Sequence, residues 1–283
     1  MAKVIDTHMH SWDLQKVRYS WLDGDTSILA QNYYPSNIEG QLQLAGVSKA
    51  IMVQAANNLE DTAFMFECAE QYPWIIGVVG WVDLLNPALT KNQLKVHLQN
   101  KYFKGIRHLI HDEPDHNWLL QPAVIESLGI LADHGVPFDV VGITIEHIKA
   151  AIEVAQKVPH LKMVFDHLNH PPIATSEQFG AWGEAIAEAA AMPNFYAKIS
   201  GLGTCCAHFN DWSANTIEPY VAYVLEHFSV NKLMIGGDWP VSLLAGDYVT
   251  THHRYQTVVE KLVAEEYQQK IYTGNAAAFY KLD

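Results

Sequence analysis

Val4-Ile5-Asp6-Thr7-His8-Met9-His10 carries an apolar run straight into a His-x-His pair. On an extended strand alternate side chains point to one side, so His8 and His10 present two imidazoles together. Near the other end, Leu233-Met234-Ile235-Gly236-Gly237-Asp238-Trp239-Pro240 again runs from apolar to polar and delivers Asp238 at a strand's C-terminal end. Two imidazoles and a carboxylate at strand ends can activate water, with a bound metal or without one. A His-x-His pair alone is equally an ordinary polar strand end. Its meaning depends on what else the fold brings to the same place.

The elements that must position these residues are legible as alternating short apolar runs and longer helical patterns. Candidate strands are Val4–His8, Lys49–Gln54, Ile75–Asp83, Phe103–Leu109, Pro137–Val141, Lys162–His167, Phe195–Ser200 and Lys232–Asp238. Most are continuous in Val, Ile, Leu, Phe and Met, as in parallel strands covered on both faces. Helical spacing of apolar residues spans Glu60–Gln71, Trp118–His134, Thr144–Val158 and Glu177–Ala191. Eight strands with intervening helices predict a (β/α)8 TIM barrel over residues 1–283 as one domain. The rival, a doubly wound open sheet, loses its dinucleotide form because no Gly-x-Gly-x-x-Gly follows the first strand. The irregular stretch from Ser11 to Asn37 holds Trp12, Tyr19, Trp21, Tyr33 and Tyr34. A loop of that length is often functional, and its aromatics either cover a substrate or pack on the barrel rim.

Composition narrows the partners. Of 283 residues, 49% are hydrophobic and 17% charged, which supports a sizeable core and excludes a disordered chain. The formal charge of −13 and the lack of a basic patch disfavour nucleic acid. No apolar stretch is long enough to span a membrane. Met1-Ala2-Lys3 leads directly into the first apolar run, without the charged and apolar regions of a secretion signal. With three cysteines, of which Cys205 and Cys206 are adjacent, the expectation is a reducing cytoplasm and buried free thiols.

Active sites of such barrels form at the C-terminal strand ends. The first strand supplies His8 and His10, the fourth Arg107 and His108, the sixth Asp166 and His167. The seventh supplies Lys198 and Ser200, and the eighth Asp238 followed by Trp239. Each has a structural alternative: Asp166 could orient a neighbouring imidazole, and Lys198 and Arg107 could pair with carboxylates inside the barrel. Their convergence at one barrel mouth favours function over those alternatives.

On these residues the chain resembles the amidohydrolase superfamily. Asp6-Thr7-His8-Met9-His10, Phe165-Asp166-His167, Lys198-Ile199-Ser200-Gly201-Leu202 and Gly237-Asp238-Trp239-Pro240 carry the likeness. Val78-Val79-Gly80-Trp81-Val82-Asp83-Leu84, Lys104-Gly105-Ile106-Arg107-His108 and the stretch from Asn275-Ala276 to Phe279-Tyr280 fit its amidohydrolase-related branch. That branch holds sugar-lactone hydrolases and pyrone dicarboxylate lactonases. The resemblance implies a metal-dependent-hydrolase-like barrel that opens a small cyclic ester, such as an L-fucono- or L-rhamnono-lactone. It departs from a two-metal pattern, because the fourth strand ends in Arg107-His108 and the fifth carries Asp139 but no His. One divalent ion, zinc first, on His8, His10, His167 and Asp238 remains open, as does a metal-free site.

The expected chemistry is lactone hydrolysis with Asp238 as the base that deprotonates water and returns the proton to the ring alkoxide. His8, His10 and His167 hold the carbonyl or the metal, and Arg107 or Lys198 stabilises the oxyanion. Trp12, Trp81 and Trp239, with His108, are expected to bind the ring. Arg18, Arg107 and Arg254 are the chain's three arginines, and one of them sits at a predicted strand end, which favours a neutral sugar lactone over a dicarboxylate. Two rivals are a metal-dependent decarboxylase on the same barrel and a non-catalytic carbohydrate-binding barrel.

Overall fold

The computed structural model describes residues 4–209 and 211–282. The N-terminal Met1-Ala2-Lys3 stretch lies outside the described residues. Eight strands, β1 (Val4–Met9), β2 (Val47–Val53), β3 (Ile75–Gly80), β4 (Phe103–His108), β5 (Phe138–Val140), β6 (Met163–Phe165), β7 (Phe195–Ile199) and β8 (Leu233–Ile235), pair in parallel in that order. The circle then closes from β8 back to β1. The His8 carbonyl accepts from the Asp238 N–H at 2.7 Å, the Trp239 carbonyl from the His10 N–H at 2.7 Å, and Ile235 from the Thr7 hydroxyl at 2.8 Å. This is the (β/α)8 barrel that the alternating pattern predicts.

A short helix α1 (Glu39–Leu42) lies in the first loop. The outer helices are α2 (Leu59–Gln71), α3 (Pro87–His97), α4 (Pro122–Asp133), α5 (Ile145–Lys157), α6 (Gly180–Ala190), α7 (Ala214–Phe228) and α8 (Tyr248–Leu262), followed by α9 (Glu265–Gln269) and α10 (Asn275–Tyr280). Their starts are chemically marked. Asn58, Asn86, Thr144 and Asp247 each accept the backbone N–H three residues on, and Pro87 and Pro122 open their helices. The helix predicted over Trp118–His134 is divided: a 3-10 turn covers Trp118–Leu120, Gln121 leaves the helical region at ψ 136°, and α4 begins at Pro122. The proline ring disfavours a helical residue before it. Ser11 to Asn37 stays largely irregular, with 3-10 turns at Ser20–Leu22 and Pro35–Asn37 and a bridge between Trp12 and Tyr33.

The strands are apolar on both faces because both faces are covered. Inside, Ile5, Ile51, Val53, Val79, Val164 and Met234 form a plug that Phe279 and Tyr280 of α10 close from below. Outside, strand residues such as Met9, Met52 and Phe138 join the core shared with the helices. Cys68, Cys205 and Cys206 are free and buried, and burial pushes the Cys206 thiol up to about 11. Among the described residues no helix is long and apolar enough to cross a membrane.

One irregularity aims the His pair. Asp6 lies opposite Ala50 and Met9 opposite Met52, so Thr7 and His8 together face the single residue Ile51. Strict alternation from the inward-facing Ile5 would turn Thr7 and Met9 inward and both histidines toward the helices. The bulge inserts one residue, reverses the phase and brings His8 and His10 into the barrel, with Met9 outside.

Candidate active site

A cavity of about 220 Å³ opens at the C-terminal mouth of the barrel. His10, Arg107, His111, His167 and Asp238 supply its ionisable lining, and Trp12, Trp21, Ala55, Leu109, Val141, Ile143 and Val241 its apolar walls, with Thr204 between. His8 lies fully buried beside them.

Asp238 is the hub. Its Oδ1 stands 3.3 Å from His10 Nε2, 3.7 Å from His8 Nε2 and 3.9 Å from His167 Nε2. The predicted strand over Lys232–Asp238 is shorter in the structure, because β8 ends at Ile235. Asp238 follows with φ +56°, a left-handed conformation tolerated by Asp and held by backbone bonds to His8 and Ser242. Asp6 secures that turn from below. Its carboxylate accepts from the N–H groups of His8 (2.9 Å) and Gly237 (2.8 Å) and from the Tyr248 hydroxyl (2.8 Å). A Cβ on Gly237 would meet Asp6 Oδ2 at 2.6 Å, so glycine is required there.

His167 is likewise delivered by an unusual backbone. The predicted strand over Lys162–His167 ends at Phe165, and His167, Leu168, Asn169 and His170 run at φ +55°, +50°, +52° and +58°. Non-glycine residues in this region store strain that surrounding contacts must offset. Ser200 Oγ accepts the His167 N–H at 3.2 Å and lies 3.0 Å from its Nδ1, while the Leu168 carbonyl accepts the Trp182 indole at 3.0 Å. Burial lowers the His167 pKa against the pull of Asp238 and Asp166.

Under the mouth lies a column of buried charge. Lys198 Nζ sits 2.5 Å from Asp139 Oδ2 and 2.9 Å from Asp166 Oδ1. Arg107 Nη1 donates to Asp166 Oδ2 at 3.1 Å, and its Nη2 to the Gln54 carbonyl. Tyr280 donates to Asp139 Oδ2 at 2.8 Å, tying the column to α10. Burial raises the Asp139 carboxyl to about 6 despite Lys198. Burial also opposes the Asp166 charge, but His8, Lys198 and Arg107 together hold its pKa well below the usual carboxylate range. Burial pulls His8 well below its ordinary value, against Asp166. His8 is therefore neutral near pH 7, so Lys198 and Arg107 are the cations that stabilise the Asp166 charge there.

These contacts set the histidine tautomers. His10 Nδ1 lies 2.7 Å from the Val53 carbonyl, which can only accept, so the proton is on Nδ1 and the Nε2 lone pair faces inward. His8 Nδ1 lies 3.2 Å from Asp166 Oδ1 and 3.3 Å from Lys198 Nζ, and Arg107 Nη1, which can only donate, lies 3.3 Å from its Nε2, leaving that Nε2 as acceptor. Both Nε2 atoms, 3.2 Å apart, therefore point lone pairs at a space that the Asp238 carboxylate shares. Three acceptors so close repel unless a cation lies between them. Ligands at ordinary Zn–N and Zn–O bond lengths stand about 3.3 Å apart on a tetrahedron. The observed separations of 3.2, 3.3 and 3.7 Å match that spacing, so His8, His10 and Asp238 fit one tetrahedral divalent ion with an open fourth position.

Other residues singled out in the sequence lie elsewhere. Lys198 is fully buried beneath the cavity, out of reach of a substrate. Along β4 Arg107 faces the barrel axis and His108 does not. The His108 ring stacks on Trp118 at 4.0 Å, accepts the Trp81 indole N–H at 3.1 Å and meets Glu113 at 2.7 Å. Trp81 and His108 thus brace each other behind the wall. Trp239 is buried edge-on to Tyr33, which packs edge-on to Trp12. Of the named aromatics Trp12 reaches the cavity. Trp21, another of the first-loop aromatics, reaches it too, and Ala55, Leu109, His111, Val141, Ile143, Thr204 and Val241, to which the sequence reading assigned no role, complete the wall. The signal that could have found most of them is position, since they lie in loops that follow strands.

The sequence profile of the amidohydrolase family matches residues 5–282. A relative from Burkholderia ambifaria, an L-fucono-1,5-lactonase, is 31% identical over 99% of this chain and 96% of its own length. An L-rhamnono-gamma-lactonase from Scheffersomyces stipitis is 26% identical over 74% of this chain and 67% of its own. The crystal structure of a zinc-bound amidohydrolase from Burkholderia multivorans superposes with a TM-score of 0.89 at 27% identity and full coverage of both chains. Strand order, barrel-mouth site and family profile agree: the chain belongs to the amidohydrolase family.

Proposed function

We propose that this protein is a lactonase that hydrolyses a neutral, hydroxylated sugar lactone of the L-fucono- or L-rhamnono-lactone type. The observation that carries the reading is the Asp238 carboxylate facing three imidazoles at one side of a cavity with aromatic and aliphatic walls. The lactonase relatives support the substrate class.

The lactone ring lies against Trp12 and Trp21, whose indole N–H groups already donate to Gln31 and Ala55 and so offer the ring apolar faces. Asp238 takes a proton from water as the water oxygen bonds to the carbonyl carbon. Arg107 stabilises the oxyanion that forms. The ring C–O bond then breaks, and Asp238 returns the proton to the leaving alkoxide. A divalent ion held by His8, His10 and Asp238, with zinc as the first candidate, supplies Lewis acidity when bound.

Charge argues against a dicarboxylate. Arg107 is the one permanently cationic side chain among the described residues lining the cavity, and it is committed to Asp166 and Gln54. Arg18 pairs with Asp23 and Arg254 stacks on Trp212. On a panel of L-fucono-, L-rhamnono- and galactono-lactones beside pyrone dicarboxylate, kcat/KM is expected to favour a sugar lactone. A preference of about tenfold or more for the dicarboxylate overturns the reading, since paired carboxylates need bidentate cations. Gas evolution from an aromatic acid without lactone opening points instead to a decarboxylase.

The metal content is expected to be at most one divalent ion per chain. β4 ends in Arg107-His108 where a bridging lysine or glutamate would be needed to hold a second ion, and Asp139 on β5 is consumed by Lys198 and Tyr280. Elemental analysis finding two stoichiometric metals contradicts this.

A further inference from the structure

The cluster that fits a metal already has a cation beside it. Arg107 Nη1 lies 3.3 Å from His8 Nε2, the atom that would ligate an ion. A guanidinium can only donate, so that contact is an N–H of Arg107 directed at the His8 lone pair. Arg107 is held there firmly. It is 3% exposed, and its other bonds go to Asp166 and the Gln54 carbonyl. The negative charge of Asp166 is not free to screen it, because Lys198 draws on the same carboxylate at 2.9 Å.

We propose that Arg107 and a divalent metal compete for His8 Nε2, so that Arg107 sets the metal affinity of the site low. A lone pair that accepts from a guanidinium cannot ligate an ion at the same time. Binding therefore requires the guanidinium to withdraw, breaking contacts on a buried charge, or to remain as a like charge beside a dication. The same group that weakens the metal supplies positive charge at the carbonyl oxygen's place when no metal is bound. The inference rests on His8, His10 and Asp238 as the metal-holding set.

The test titrates zinc alone into chelator-stripped wild type and into Arg107→Gln, Arg107→Met and Arg107→Lys, by calorimetry, with elemental analysis after dialysis and circular dichroism to confirm folding. The two neutral variants are expected to bind one zinc at least about tenfold more tightly than wild type, and Arg107→Lys to stay within about threefold. Neutral variants that bind no more tightly than wild type overturn the proposal. Should those variants fail to fold, crystals of the wild type with and without zinc decide: the Arg107 to His8 contact must lengthen when zinc binds, and an unchanged contact overturns it. Zinc that binds neither wild type nor any folded variant removes the metal-holding reading as well. Zinc that binds all of them equally, with loss in His10→Ala, removes this inference and leaves that reading standing.

Discussion

Asp238→Asn is expected to lower kcat on the best lactone by about 10²- to 10⁴-fold, the usual range for loss of a general base. The amide has nearly the same shape but cannot take a proton from water. It also removes the negative charge that faces His10 at 3.3 Å and His8 at 3.7 Å. The fold should survive, because the left-handed turn is held by main-chain bonds. The Asp238 N–H donates to the His8 carbonyl, its carbonyl accepts from Ser242, and Asp6 anchors the adjacent Gly237. Steady-state kinetics beside a thermal melt check both halves. A variant whose kcat stays within about threefold of wild type shows that another group handles the proton.

Lys198→Met is expected to act on stability first. It removes the cation between Asp139 and Asp166, both fully buried. Removing one partner of a buried ion pair typically costs about 3–5 kcal/mol, because the remaining charge is left unpaired. The loss should depend on pH in a definite direction. Burial already raises Asp139 to about 6 in the folded protein, above its ordinary value of 3.8, and losing Lys198 raises it further. A carboxyl with a raised folded pKa contributes stability that is present at low pH and lost as pH rises through that pKa. The deficit of the variant should therefore be larger at pH 8 than at pH 5.5. Urea unfolding of variant and wild type at both values measures it. An equal deficit at both shows that Asp139 does not carry the penalty. A Lys198 that instead bound substrate would change KM with little effect on unfolding.

Much of the barrel is legible in the sequence because backbone periodicity is local. Apolar runs of strand length, separated by helical spacing over Glu60–Gln71, Thr144–Val158 and Glu177–Ala191, identify the alternation and the eight strands. The predicted strands run past the observed ends at β3, β6 and β8, and at β6 and β8 the backbone leaves the sheet through left-handed turns that apolar patterning does not encode. Pro122 shows the converse. Its effect on Gln121 is a local steric one and could have been read directly, yet the helical spacing from Trp118 onward concealed it.

For the site, the sequence alone puts His8 and His10 on one side, since side chains alternate with period two. It determined which residue types meet at the barrel mouth, since parallel strands of a closed barrel end at one face. Which side that is depends on strand pairing, because the bulge opposite Ile51 sets the phase of β1 against its neighbour. Only the tertiary structure separated Arg107, facing the axis, from His108, braced behind the wall, and sank Lys198 between two carboxylates out of reach of substrate. Periodicity along one strand is a property of its own backbone. Phase and depth within the barrel are set by register against other strands, and those contacts join residues more than a hundred positions apart, such as Tyr280 and Asp139.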